Sequence, residues 1–153
     1  MHKNEHYTDS IYYQIELTAK YCRHLGMQTF EKLNMPLNVD EFAALDVIIA
    51  NDQICQRELA KLILKDRPTT GRILNSLEEK GYVKRFADTK NNRLVRKISV
   101  TSKGKDIANK ITETLRNYID KLPKVFSGKD KEILINSIKK FRESLTEVVA
   151  MNI

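Results

Sequence analysis

Between Arg67 and Ser76 the chain sets Arg67, Thr69, Thr70, Arg72, Asn75 and Ser76 close together. Each offers hydrogen-bonding chemistry suited to base edges and phosphates. Arginine forks onto guanine, asparagine pairs in two places with adenine, and threonine presents a hydroxyl or a methyl. A second group follows at Lys90, Asn92 and Arg93. These residue types recognise a polyanion; they do not make a bond-breaking site.

The charge distribution points the same way. Residues 51–105 hold 14 Lys and Arg against 6 Asp and Glu, a local charge of +8 in a chain whose total is +7. The remainder is close to neutral. A positive field confined to one compact third implies nucleic acid as the partner, with a merely solvated basic face as the alternative.

Enzyme chemistry finds little support. The three histidines, His2, His6 and His24, all lie in the first sixth of the chain, and no Gly-rich phosphate loop, H-E-x-x-H or G-x-S-x-G is present. His2 and His6 would share a helical face, but three histidines without supporting acids make a poor metal site, so neither metal nor cofactor is expected. Two cysteines, Cys22 and Cys55, do not form a disulfide framework. No apolar run approaches the ~20 residues of a membrane span, and the first ten residues lack the apolar core of a secretory signal. A reduced, cytoplasmic protein is expected.

The elements that must position these side chains are mostly helical. A long helix is predicted over 7–33, ended by Asn34-Met35-Pro36. Asp40 would cap a second helix carrying Phe42, Leu45, Ile48 and Ile49. After the short apolar pair Ile54-Cys55, a helix over 56–64 buries Leu59, Leu62 and Ile63. Asp66 caps the next, in which Pro68 suits the first turn and Ile73, Leu74 and Leu77 face inward until Gly81. Residues 82–86 and 95–100 alternate as strands, leaving 87–94 as a polar loop with a basic tip. Thr101 caps a helix with the stripe Ile107, Ile111, Leu115, Tyr118 and Leu122. The last helix repeats Leu134, Ile138, Phe141, Leu145 and Val148, a seam seeking a partner helix.

Two helices joined by a tight turn and followed by a hairpin form the order of a winged helix-turn-helix, whose second helix enters a major groove. At these residues the chain resembles the MarR family of bacterial regulators. The run ELAKLILKDRPTTGRILNSLEEKGYVKR, the polar loop with Asp88 and Arg93, and KISVTSKGK carry the likeness. Leu59-Ala60, Asp66, Thr69, Arg72, Leu77-Glu78-x-Lys80-Gly81, Arg85 and Thr101-x-x-Gly104 are its landmarks. The resemblance implies a homodimer, with residues 1–34 and 105–153 forming the helical dimerisation region and 35–104 the winged DNA-binding domain. It further implies a regulator, usually a repressor, that binds a pseudo-palindromic operator in double-stranded DNA and is released by a small aromatic ligand or an oxidant. One departure stands out: the family's wing commonly reads Asp-x-x-Asp-Arg-Arg, and residues 88–93 end Asn91-Asn92-Arg93. The resemblance thus implies Arg93 as the remaining minor-groove or phosphate contact and Asp88 as the acid that orients it.

Three further readings stay open. Tyr12, Tyr13, Met27, Phe30, Met35 and Phe42 would line an effector pocket, or simply pack as core. Cys22 is a redox candidate with tyrosines nearby, against the commoner buried thiol; Cys55 reads as structural. A winged-helix module that binds protein rather than DNA, or a metal- or redox-responsive regulator, is the alternative function.

Overall fold

The computed structural model describes residues 6–149. Its elements run α1 (Ile11–Lys32), α2 (Val39–Ala50), β1 (Ile54–Cys55), α3 (Gln56–Ile63), α4 (Arg67–Glu79), β2 (Val83–Lys90), β3 (Arg93–Val100), α5 (Ser102–Ile119) and α6 (Gly128–Thr146), with a 3₁₀ turn at Tyr7–Asp9 before them. The expected mainly helical winged fold is present, and its sheet has three antiparallel strands in the order β1-β3-β2.

The helix boundaries follow local chemistry. Ser10 accepts from the Tyr13 N–H and starts α1, so the first residues of the expected long helix form the 3₁₀ turn instead. Asn38, not Asp40, caps α2: its side chain accepts from the Glu41 N–H, and the Glu41 carboxylate accepts from the Asn38 N–H in return. Asp40 is free for another task and takes the Arg23 guanidinium at 2.7 and 2.8 Å, tying α1 to α2. That guanidinium holds the Asp40 carboxyl below its usual range.

The core lies where α2 to α5 meet the sheet. Leu45 and Ile48 of α2, Leu59 of α3, Leu74 and Leu77 of α4, Ile98 of β3 and Ile111 of α5 are buried together. Gly104, in the first turn of α5, lies against the carbonyl of Tyr82 and the Val100 methyl. By contrast α6 buries no residue, and α1 buries only Thr29 and Phe30 at its C-terminal end.

Glu41 is the buried charge among the described residues, 5% exposed. Burial alone would push its carboxyl up, but the Ser76 hydroxyl at 2.6 Å, the Asn38 N–H and the Lys80 ammonium at 3.0 Å together hold it below the usual glutamate range. A depressed folded-state value contributes stability that is present above the unfolded pKa and is lost as pH falls through the folded one. Glu41→Gln is therefore expected to lower stability by about 1–2 kcal/mol at pH 7. That difference should shrink in urea titrations taken below about pH 4.3, the ordinary glutamate value. A pH-independent difference would show that the charge itself contributes nothing.

Candidate nucleic-acid interface

The Asp66 side chain accepts from the Thr69 N–H at 2.7 Å, and Pro68 occupies the first turn, so α4 begins at a fixed point. Thr70, Ile73, Leu74 and Leu77 face the core, which leaves Arg72 and Asn75 on the opposite side at helical spacing. Arg72 donates to the Thr69 hydroxyl at 3.0 Å, tying two expected contact residues together.

Two of the expected contact residues are turned inward instead. Thr70 is 0% exposed, and its hydroxyl donates to the Asp66 carbonyl. It stands three and four residues before Ile73 and Leu74, so it shares their stripe. Ser76 is partly buried and donates to Glu41, so it braces α4 against α2. Neither offers its side chain to a ligand on the outer face.

The wing extends further than the sequence reading placed it. β2 and β3 pair continuously from Val83↔Val100 to Lys90↔Arg93, so the expected loop over 87–94 is a hairpin closed by two residues. Asn91 and Asn92 both adopt positive φ, 53° and 59°, which is what a two-residue turn of this twist requires and what asparagine tolerates. The departure at residues 91–92 thus supplies the turn. Arg93 and Asn92 are exposed at its end, and no hydrogen bond or ion pair of the Arg93 side chain occurs among the described residues.

Asp88 does not hold Arg93. Its carboxylate meets the Lys97 ammonium at 2.9 Å, which keeps that carboxyl below its usual range. Arg93 and Lys97 both lie diagonally across from Asp88 in the hairpin register, and the sheet twist favours one diagonal. Lys90 in turn pairs with Glu58 at 3.0 Å, fastening the wing to α3.

Between α3, the start of α4 and the wing lies an open groove of about 1040 Å³. Arg57, Lys61, Arg67, Lys90, Arg93 and Arg96 line it, with Glu58 as the single acid. Arg57, Lys61 and Arg96 were not singled out from sequence. Arg57 and Lys61 stand one helical turn apart on α3, a spacing that puts both on one face of the helix. A basic channel beside a helix that presents arginine and asparagine is suited to a phosphate backbone on one side and base edges on the other.

Arg85 completes the interface from β2. Its guanidinium meets Glu78 at 3.0 and 3.3 Å and also donates to the Asn75 Oδ1 at 2.6 Å. The Glu78 carboxyl is held below its usual range by this contact.

The expected effector pocket divides. Met27, Phe30 and Met35 line a shallow cleft of about 300 Å³ with Pro36, Leu37 and Val39, and Phe42 packs on the Phe30 ring at 5.8 Å. Tyr12 and Tyr13 lie elsewhere, against Phe141 and Tyr7 respectively. Fifteen residues of helix, about 22 Å, separate Tyr12 from Met27. Cys22 is exposed, so it does not pack as a small buried hydrophobe, and Cys55 is half-buried at the start of α3. Among the described residues no group of three potential metal ligands converges; His2 lies outside them. No helix among them is long and apolar enough to cross a membrane.

Comparison with known proteins agrees with this geometry. The profile of the MarR family matches residues 37–95, the winged domain. The HTH-type transcriptional regulator YybA of Bacillus subtilis (strain 168) is 24% identical over 120 residues, 78% of this chain and 79% of the relative. The transcriptional regulator SlyA superposes with a TM-score of 0.73 at 25% identity, covering 90% of this chain and 95% of that one. MepR of S. aureus, in a complex with DNA, gives 0.70 at 20% identity over 92% and 99% of the two chains. A MarR protein from Peptoclostridium difficile gives 0.74 at 20% over 95% and 94%. Family profile and fold thus coincide over the winged segment: residues 37–95 match the MarR family, and nearly the whole chain superposes on regulators of that fold.

Proposed function

We propose that the protein is a homodimeric transcriptional regulator of the cytoplasm, acting as a repressor, that binds a pseudo-palindromic operator in double-stranded DNA. The observation that carries this reading is the basic groove between α3, α4 and the wing, beside the outward Arg72 and Asn75. Residues 35–104 are the DNA-binding domain in this reading, and the helices on either side join two copies so that their recognition helices lie ~34 Å apart, one turn of DNA. Arg67, Thr69, Arg72 and Asn75 work in the major groove and on phosphates; Lys90, Asn92 and Arg93 work at the wing. Release by a small aromatic ligand or an oxidant belongs to the same reading, with the cleft at Met27, Phe30 and Met35 and the exposed Cys22 as the two seats.

Fluorescence anisotropy with the DNA upstream of its own gene, and with a scrambled duplex, tests the reading across a salt series. Six phosphate contacts predict a loss of about a thousandfold between 50 and 200 mM salt. Arg93→Ala is expected to weaken binding to every duplex alike by about tenfold, whereas Arg72→Ala also erodes the preference for the upstream DNA. Shallow salt dependence without sequence preference would favour a protein partner instead.

A further inference from the structure

An asparagine free to choose reads adenine, because its oxygen accepts from N6 while its amide nitrogen donates to N7. Asn75 is not free. Its Oδ1 receives the Arg85 guanidinium at 2.6 Å, the shortest of Arg85's contacts. The assignment of oxygen rather than nitrogen at that point is fixed by chemistry, since a guanidinium has only donors to offer. Arg85 is itself anchored. Glu78 accepts from its Nη2 at 3.0 Å, its Nε at 3.3 Å and its backbone N–H at 3.1 Å, and the side chain is only 20% exposed. The amide of Asn75 is therefore turned with its oxygen toward β2. Its Nδ2 has no partner among the described residues and sits on the exposed face of α4, about one turn beyond Arg72.

We propose that Arg85 is a positioning residue that makes Asn75 a donor-only reader, so that α4 selects a base edge rich in acceptors, guanine above all, and not adenine. Guanine shows N7 and O6 to the major groove and accepts from both amide hydrogens; adenine offers the fixed amide only N7, and cytosine presents a donor against a donor. The specificity of this helix is then set partly by a strand residue that touches no base. The inference rests on the DNA-binding reading above and refines the role of one of its residues.

The test is selection of full-length protein on a randomised double-stranded DNA pool, followed by sequencing of the bound fraction for the parent chain and variants. The parent is expected to favour guanine over adenine by about tenfold at one position in each half-site. Arg85→Met releases the amide, and the preference at that same position should move to adenine. Asn75→Ala should abolish it, and Arg85→Met should then change nothing there. Asn75→Asp keeps the contact with Arg85, and with it the local structure, but replaces donors with acceptors; preference should move to cytosine. The shift to cytosine reports on the proposal even if Arg85→Met fails to fold. A merely structural Arg85 would alter affinity for all duplexes and leave the base profile as it was. A parent chain that enriches an operator whose profile is indifferent to these substitutions overturns the proposal alone. A parent chain that enriches no sequence overturns the DNA-binding reading and the proposal together.

Discussion

A Gly104→Ala chain is expected to unfold about 10 °C below the parent, a loss of about 3 kcal/mol. The position looks innocuous in sequence, since alanine is the better helix former by up to about 1 kcal/mol. The surroundings reverse that preference. A Cβ at residue 104 would collide with the Tyr82 carbonyl and come within 2.8 Å of the Val100 methyl. The Tyr82 oxygen cannot retreat, because it accepts from the Thr101 N–H at 3.0 Å in the turn that leads from the wing into α5. Thr101 in turn accepts from the Gly104 N–H and donates to the Gly81 carbonyl. One methyl group therefore pushes α5 away from the root of the hairpin. Gly71 supplies the control: a Cβ there meets only the Gln56 amide nitrogen at 3.8 Å, ordinary contact. Gly71→Ala should raise the melting temperature by a few degrees, as removal of an unneeded helix glycine does. Thermal unfolding of the two variants should thus move in opposite directions. Two shifts of the same sign would mean that helix propensity, not the contact at Tyr82, decides position 104.

The fold was legible where its causes are local. Asp66 before Pro68, Thr101 before Gly104 and the apolar stripes placed α3, α4 and the start of α5 to within a residue or two, because caps and periodicity act over a single turn, although α5 ends at Ile119, three residues before Leu122. Thr70 was also legible in principle: its spacing to Ile73 and Leu74 puts it in the core, although its residue type suits a base contact. What the sequence withheld depends on distant partners. Ser76 and Glu41 are 35 residues apart, and nothing in either neighbourhood marks them as a pair. Asp88 had two basic residues on its diagonals, and only the twist of the sheet selects Lys97. Arg85 was visible as a family landmark, but its hold on Asn75 joins a strand to a helix across ten residues. Candidate contact residues could be counted from sequence; their orientation required the tertiary neighbours.

Breaking the α6 seam should have the largest effect on function. Ile133, Leu134, Ile135 and Ile138 are all exposed by 39% or more in the single chain, as are Ile11, Tyr12, Tyr21 and Leu25 on α1. A 19-residue helix that buries nothing has little reason to hold its shape in water, since most helical stability in proteins comes from a packed apolar face. The C-terminal half of α6 meets the start of α1, where Phe141 lies 5.3 Å from the Tyr12 ring. A second copy of the chain is the occupant that the proposed function requires, and the core does not depend on it, being built mainly from α2 to α5 with Phe30 the one contribution of α1. Leu134→Asp with Ile138→Asp is accordingly expected to give a folded monomer in sedimentation experiments. Its affinity for a full operator should fall by about a hundredfold or more, because the second half-site contact ceases to be intramolecular with the first. Affinity for an isolated half-site, weak in both proteins, should change little. A doubly substituted chain that still sediments as a dimer would place the dimer interface elsewhere. A monomer that binds the full operator as tightly as the parent would show that dimerisation adds nothing to recognition.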